Sequence, residues 1–140
     1  MGFFIPREIV SRIGYPRGDL FVYYDEHDYC LRMKEAGYHI QGVLDSIVEH
    51  PYIMPDNKRC LFGRLVDVPV MPTWKMYYWM RNNLLIRRGM PGREFWKNLQ
   101  LELYVLLKII IFKPEQFHAA VVGLVDGIAG KAGRRAGYPN

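Results

Sequence analysis

The sequence predicts an α/β chain, with short extended runs, small helices and turns in its first half and helices in its second. Three observations carry this. Apolar or aromatic runs of strand length (Phe3-Phe4-Ile5, Leu20 to Tyr24, Tyr38 to Val43) alternate with helix-competent segments in residues 1–50. Residues 51–73 carry four prolines (Pro51, Pro55, Pro69, Pro72) and little periodicity. From Thr73 onward the apolar spacing becomes helical. The division expected is residues 1–72 as the α/β part and 73–140 as an amphipathic helical region.

Phe3-Phe4-Ile5 reads as a strand running into Pro6, and Arg7 to Ile13 as a short helix with Ile9, Val10 and Ile13 at helical spacing. Gly14 stops that helix, and Tyr15-Pro16-Arg17-Gly18-Asp19 is rich in turn formers. A start on a strand with no lead-in element fits a chain cut from a larger fold. Tyr23-Tyr24-Asp25-Glu26-His27-Asp28 then packs three carboxylates into four residues between an aromatic run and a helix ending at Gly37. Asp25 and Asp28 have N-cap and N3 spacing, where carboxylates meet the positive end of the helix dipole. Capping leaves Glu26 unexplained, because a further acid there adds repulsion. Strand-to-helix turns of α/β folds are also where ligands are met.

Beyond Gly37, Tyr38 to Val43 and Ser46 to Glu49 read as extended, followed by His50-Pro51 and a long loop with one hairpin edge. Thr73 can cap a helix over Trp74 to Arg88, broken at Gly89 and Met90-Pro91-Gly92. Phe95 to Phe112 is the next helix, with Leu99, Leu103, Leu106 and Ile110 forming a seam widened by Trp96, Leu107 and Ile111. Lys97, Glu102 and Lys108 interrupt it on different turns, which argues against a membrane span. A core helix and a helix lying in a membrane interface are equally weighted, and each can hold for a different face. Glu115 to Leu124 is a last helix before a Gly/Lys/Arg tail.

At 140 residues the chain is one domain's worth, and half of it is hydrophobic with 14% aromatic, rich for a water-facing domain. The net charge of +5 concentrates in the second half, at Arg81, Arg87, Arg88, Arg93, Lys97, Lys131, Arg134 and Arg135. That bias suits phosphate-bearing partners or an anionic membrane surface. The arginines lie scattered among apolar residues and match no nucleic-acid reader, so no nucleic-acid partner is expected. Cys30 and Cys60 have no metal-type spacing, Cys30 reads as buried packing, and a reduced cytoplasmic setting follows. Residues 1–20 contain no uninterrupted apolar core of the signal-peptide kind.

The order of features is Asp25-Glu26-x-Asp28-Tyr29-x-x-Arg32, Gly37-Tyr38, an isolated His50, a proline-rich loop, then Tyr77-Tyr78-x-x-Arg81-Asn82. It resembles the C-terminal half of family 2 glycosyltransferases, in the rhamnosyltransferase and galactofuranosyltransferase branch. Gly2-Phe3-Phe4-Ile5-Pro6-Arg7-Glu8 with Ile13-Gly14 looks like the segment after that family's metal motif. Gly123-Leu124-Val125-Asp126-Gly127-Ile128-Ala129-Gly130 looks like its usual ending. The resemblance implies the C-terminal part of a GT-A-type mixed sheet, followed by a helical segment, and inverting transfer from a nucleotide-sugar donor.

The same resemblance assigns the base to Glu26, with Asp25 orienting it or binding acceptor hydroxyls. It places Asp28 and Tyr24 at the acceptor, Arg81 and Asn82 at the diphosphate, and His50 at a divalent cation, Mg2+ or Mn2+. Relatives commonly have Asp where this chain has Glu26. The family's Asp-x-Asp is not in the sequence, so the cation is expected only with a missing N-terminal half, and the fragment alone is expected to be inactive.

The acceptor implied is a glycan or a polyprenyl-linked saccharide of a cell-envelope polysaccharide. The chain would sit peripherally on the inner face of the plasma membrane, with self-association left open. The competing expectation is a non-catalytic module that binds a membrane or another protein.

Overall fold

The structure, a computed structural model, describes residues 3–47, 49, 57–88, 90 and 92–138. In chain order its elements are α1 (Arg7–Ile13), α2 (Asp25–Glu35), β1 (Lys58–Leu61), β2 (Arg64–Asp67), α3 (Thr73–Leu85), α4 (Gly92–Phe112) and α5 (Phe117–Ala129). Single 3-10 turns at Gly18–Leu20 and Pro114–Gln116 precede α2 and α5. The chain is thus a helix-dominated mixture with one small sheet. Among the described residues the sheet is an antiparallel hairpin pairing Lys58 with Asp67 and Leu61 with Arg64. This is the hairpin expected in the proline-rich region. A mixed sheet of the GT-A kind is not among the described residues.

The three strands expected in the first half do not form. Phe3 to Ile5 and Tyr38 to Val43 have no ladder partner. Over Leu20 to Tyr24 the backbone itself forbids one, since Phe21, Tyr23 and Tyr24 take φ of 68°, 64° and 67°. Aromatic residues leave the extended region here because buried side chains of α3 fix the loop's carbonyls. The Ser46 to Glu49 expectation includes residue 48, outside the described residues.

Helix α2 starts one position earlier than capping by Asp25 requires. Tyr24 in the left-handed conformation takes the N-cap position, Asp25 is the first helical residue, and no side chain caps. The predicted end holds. The amide of Gly37 (φ 85°) reaches the Lys34 carbonyl at 3.0 Å and that of Tyr38 the Met33 carbonyl at 2.9 Å, a Schellman closure. Pro72 rather than Thr73 precedes α3, and α4 starts at Gly92 rather than Phe95.

α3 is the central element, buried at every position from Met76 to Leu84 except Trp79. One side packs Met76, Met80 and Leu84 against Val105 and Ile109 of α4 and Ala120 and Leu124 of α5. The other packs Tyr77 and Tyr78 against Ala119, with Phe21, Val22 and Tyr138 closing over them. α3 and α5 approach closely because α5 presents glycine. A Cβ on Gly123 would lie 2.4 Å from the Tyr77 carbonyl oxygen, and one on Gly127 2.7 Å from that of Arg81. Gly123 and Gly127 are therefore a helix-packing device, whereas Gly130 closes α5 in the left-handed conformation.

The seam predicted on α4 is split: Leu99 and Leu106 pack against the core, and Leu103 and Ile110 face outward. The positions the helix buries are Glu102, Val105, Lys108 and Ile109, whereas Trp96, Leu103, Leu107, Ile110 and Ile111 are exposed. Lys108 donates to the Asp67 carbonyl at 2.7 Å and thereby joins α4 to the hairpin. Among the described residues no helix is long and apolar enough to cross a membrane.

Candidate functional site at the start of α2

The loop 18–24 and the first turn of α2 are built by long-range polar contacts. The side-chain nitrogen of Asn82 lies 2.8, 2.7 and 3.0 Å from the carbonyl oxygens of Leu20, Val22 and Tyr23. Arg81, fully buried, donates Nη2 to the carbonyls of Asp19 (3.3 Å) and Leu20 (3.1 Å), Nη1 to that of Gly133, and Nε to the Asn82 side chain. Its guanidinium also lies over the rings of Tyr77 and Tyr78. Buried carbonyls of an irregular loop need such donors, and α3 supplies them.

On the other side, Asp28 accepts from Arg32 Nε at 2.9 Å and stands 3.6 Å from Arg17. Arg32 continues to the carbonyls of Ile13 (2.7 Å) and Tyr15 (3.0 Å), and the Tyr29 hydroxyl donates to that of Gly14 at 2.9 Å. The base of α2 is tied to the end of α1 in this way.

With both sides fixed, the first turn of α2 borders an open cleft of about 480 Å³. Tyr23, Tyr24, Trp79 and Phe3 give it aromatic walls, and Glu26, His27 and Cys30 supply its polar edge. A smaller hollow of about 110 Å³ adjoins, lined by Phe3, Ile5, Pro16, Asp25, Glu26 and Tyr29. Glu26 borders both and is exposed. His27 stands 3.5 Å from Arg87. Partial burial, Arg87 and Lys34 hold the His27 imidazole below its usual pKa, so at neutral pH it is the uncharged form. The Tyr24 ring packs on His27 and Trp79 with Arg87 over it. Burial, with the nearby Glu102 carboxyl, pushes the Tyr24 hydroxyl well above the usual range, so it acts only as a neutral hydroxyl.

The predicted residues therefore separate. Glu26, Asp25 and Tyr24 come together at the cleft and its hollow. Asp28 is buried and paired with two arginines. Arg81 and Asn82 are buried under the loop, with their donors given to carbonyls, and do not line the cleft. His50 lies outside the described residues. Cys30, expected as buried packing, is half-buried on the cleft wall and forms no disulfide. Among the described residues no three His, Cys, Asp or Glu side chains are grouped to hold a metal ion.

Tyr23, His27 and Trp79 were not singled out in the sequence. A signal existed for part of this. Glu26 and Cys30 are four apart and His27 and Cys30 three apart, so they share one face of the helix. Trp79 comes from a different element, and only tertiary packing brings it there. Comparison of the chain with protein-family models, curated proteins and solved structures returns no match.

Proposed function

We propose that the chain is the acceptor-binding part of an inverting glycosyltransferase that moves a sugar from a nucleotide-sugar donor to a glycan or polyprenyl-linked acceptor. The observation that supports it is Glu26: an exposed carboxylate at the edge of a cleft whose other walls are aromatic. A sugar ring offers apolar C–H faces that pack on aromatic rings and hydroxyls that need polar partners. In the transfer step the acceptor oxygen forms a bond to the anomeric carbon as the bond from that carbon to the nucleoside diphosphate breaks. The hydroxyl proton passes to the Glu26 carboxylate. Asp25, in the adjoining hollow, orients the base or an acceptor hydroxyl. Asp28 and Arg32 act through the backbone, keeping α2 in place.

This reading sets the chain at the cytoplasmic face of the plasma membrane, where polyprenyl-diphosphate acceptors lie. The diphosphate-binding role for Arg81 and Asn82 would require them to release the loop carbonyls, so their part here is positioning the cleft wall. Glu26→Gln, introduced into the protein at its full natural length, tests the proposal. The expected result is a fall in kcat of roughly 10²–10⁴ with acceptor KM little changed. A variant that transfers sugar at the original rate overturns it and favours the alternative, a non-catalytic membrane- or protein-binding module. The outward apolar face of α4 is the observation on that side.

A further inference from the structure

α4 is apolar over more of its circumference than α3, α5 and the hairpin cover. The face it turns to the protein carries two charged residues, Glu102 and Lys108, both buried. Glu102 Oε1 accepts from the Asn83 amide, while Oε2 has no hydrogen-bond partner. The face it turns outward is apolar. Trp96 is 62% exposed, Leu103 50% and Ile110 49%, with Leu107 and Ile111 between and beside them. Residues 96, 103, 107, 110 and 111 follow the helical repeat and form one stripe, on a helix about 30 Å long. The stripe itself contains no charge.

The charges lie at its ends and edges. Arg93 stands one turn before Trp96, Lys97 is beside it, and Lys113 follows the last residue of α4. Lys97 meets Glu94 at 3.1 Å and Lys113 meets Glu115 at 3.9 Å, and these solvent-facing pairs are weak enough to exchange for lipid phosphate. The chain as a whole carries +5. A second copy would bring like charge against like. An anionic bilayer would instead take the tryptophan and branched side chains among its acyl chains and the basic ends among its headgroups.

We infer that the outward stripe of α4 (Trp96, Leu103, Leu107, Ile110 and Ile111), flanked by Arg93, Lys97 and Lys113, docks the protein on an anionic lipid surface with α4 parallel to it. The inference is independent of sugar transfer, because α4 contributes nothing to the cleft lining.

Sedimentation of the 140-residue chain with vesicles tests it, using phosphatidylcholine alone and mixed with phosphatidylglycerol, at low and high salt. The expected result is binding to the anionic vesicles at low salt that is roughly tenfold weaker at high salt or without phosphatidylglycerol. The double variant Leu103→Glu/Leu107→Glu should lose binding by at least about tenfold while keeping its helical circular dichroism. Leu101→Glu, also exposed on α4 but off the stripe, should keep it and controls for folding. Equal binding by the stripe variant and the Leu101→Glu control overturns the inference. So does no binding to either vesicle, or a discrete dimer in sedimentation velocity that the stripe variant dissociates.

Discussion

Asn82 and Glu102 show how differently two buried polar residues can behave. Asn82 is saturated, with three loop carbonyls and a guanidinium nitrogen around its amide. Removing it takes the side-chain donor from the half-buried carbonyls of Val22 and Tyr23 and leaves that of Leu20 to Arg81. Asn82→Ala is therefore expected to destabilise the fold by about 2–3 kcal/mol, read as a lower urea midpoint at unchanged m-value. Asn82→Asp, which replaces the donor by another acceptor, should be worse than Ala. If Ala and wild type unfold together, the loop is not held as described.

Glu102 is the opposite case, a buried carboxyl with one oxygen unpartnered. Burial pushes its pKa up from 4.5 to about 7, against smaller opposing effects of the Asn83 hydrogen bond and Arg87. A folded pKa above the unfolded one means the folded state binds the proton more tightly. The stabilisation is therefore fully present below about 4.5 and lost as pH rises through about 7. Glu102→Gln should remove this dependence and raise stability above neutrality by on the order of 2 kcal/mol. Thermal melts of both proteins across pH 5 to 8, a range of about three units, measure it. Parallel melting curves would show that Glu102 does not titrate in that window.

Among the elements, the α3–α5 pair depends most on a single atom. Gly127→Ala places a methyl against the Arg81 carbonyl, and neither backbone can yield without moving the helix that carries the cleft wall. A loss of about 2 kcal/mol or more is expected. Gly92→Ala, at the start of α4 with nothing within 4 Å of the added carbon, should be neutral or slightly stabilising. A comparison of the two melting temperatures separates close packing from ordinary helix propensity. α2 is less exposed to such single changes, because Arg32, Asp28, Arg17 and Tyr29 anchor it at several carbonyls and charges together.

At the scale of the molecule, the tail after α5 locks the first half of the chain to the helices. Asp126, buried, accepts from the Tyr77 hydroxyl at 2.9 Å and pairs with Lys131 at 3.2 Å and with Arg135. The Gly133 amide donates to the Asp19 carbonyl at 2.7 Å, and the Tyr138 ring stacks on Tyr77. Asp126→Ala should therefore expose the tail, giving early tryptic cleavage at Lys131, Arg134 and Arg135 before the helices are cut. Simultaneous cleavage everywhere would mean that the tail unfolds only with the rest.

Local chemistry in the chain determined a good deal. The bounds of α1, the glycine closure of α2, the hairpin in the proline-rich region and the existence of α3, α4 and α5 follow from breakers and periodicity that act within a few residues. So does the clustering of Asp25 and Glu26 at a helix start. Tertiary structure decided the rest. Leu20 to Tyr24 has the composition of a strand, but Asn82 and Arg81, some sixty residues away, bind its carbonyls in a conformation no strand can adopt. The α4 periodicity marks an apolar stripe without saying whether protein covers it, and α3 and α5 cover the other side. A residue's neighbours along the chain set its conformational preference, but only the elements packed against it settle which face is buried and which side chains meet in a cleft.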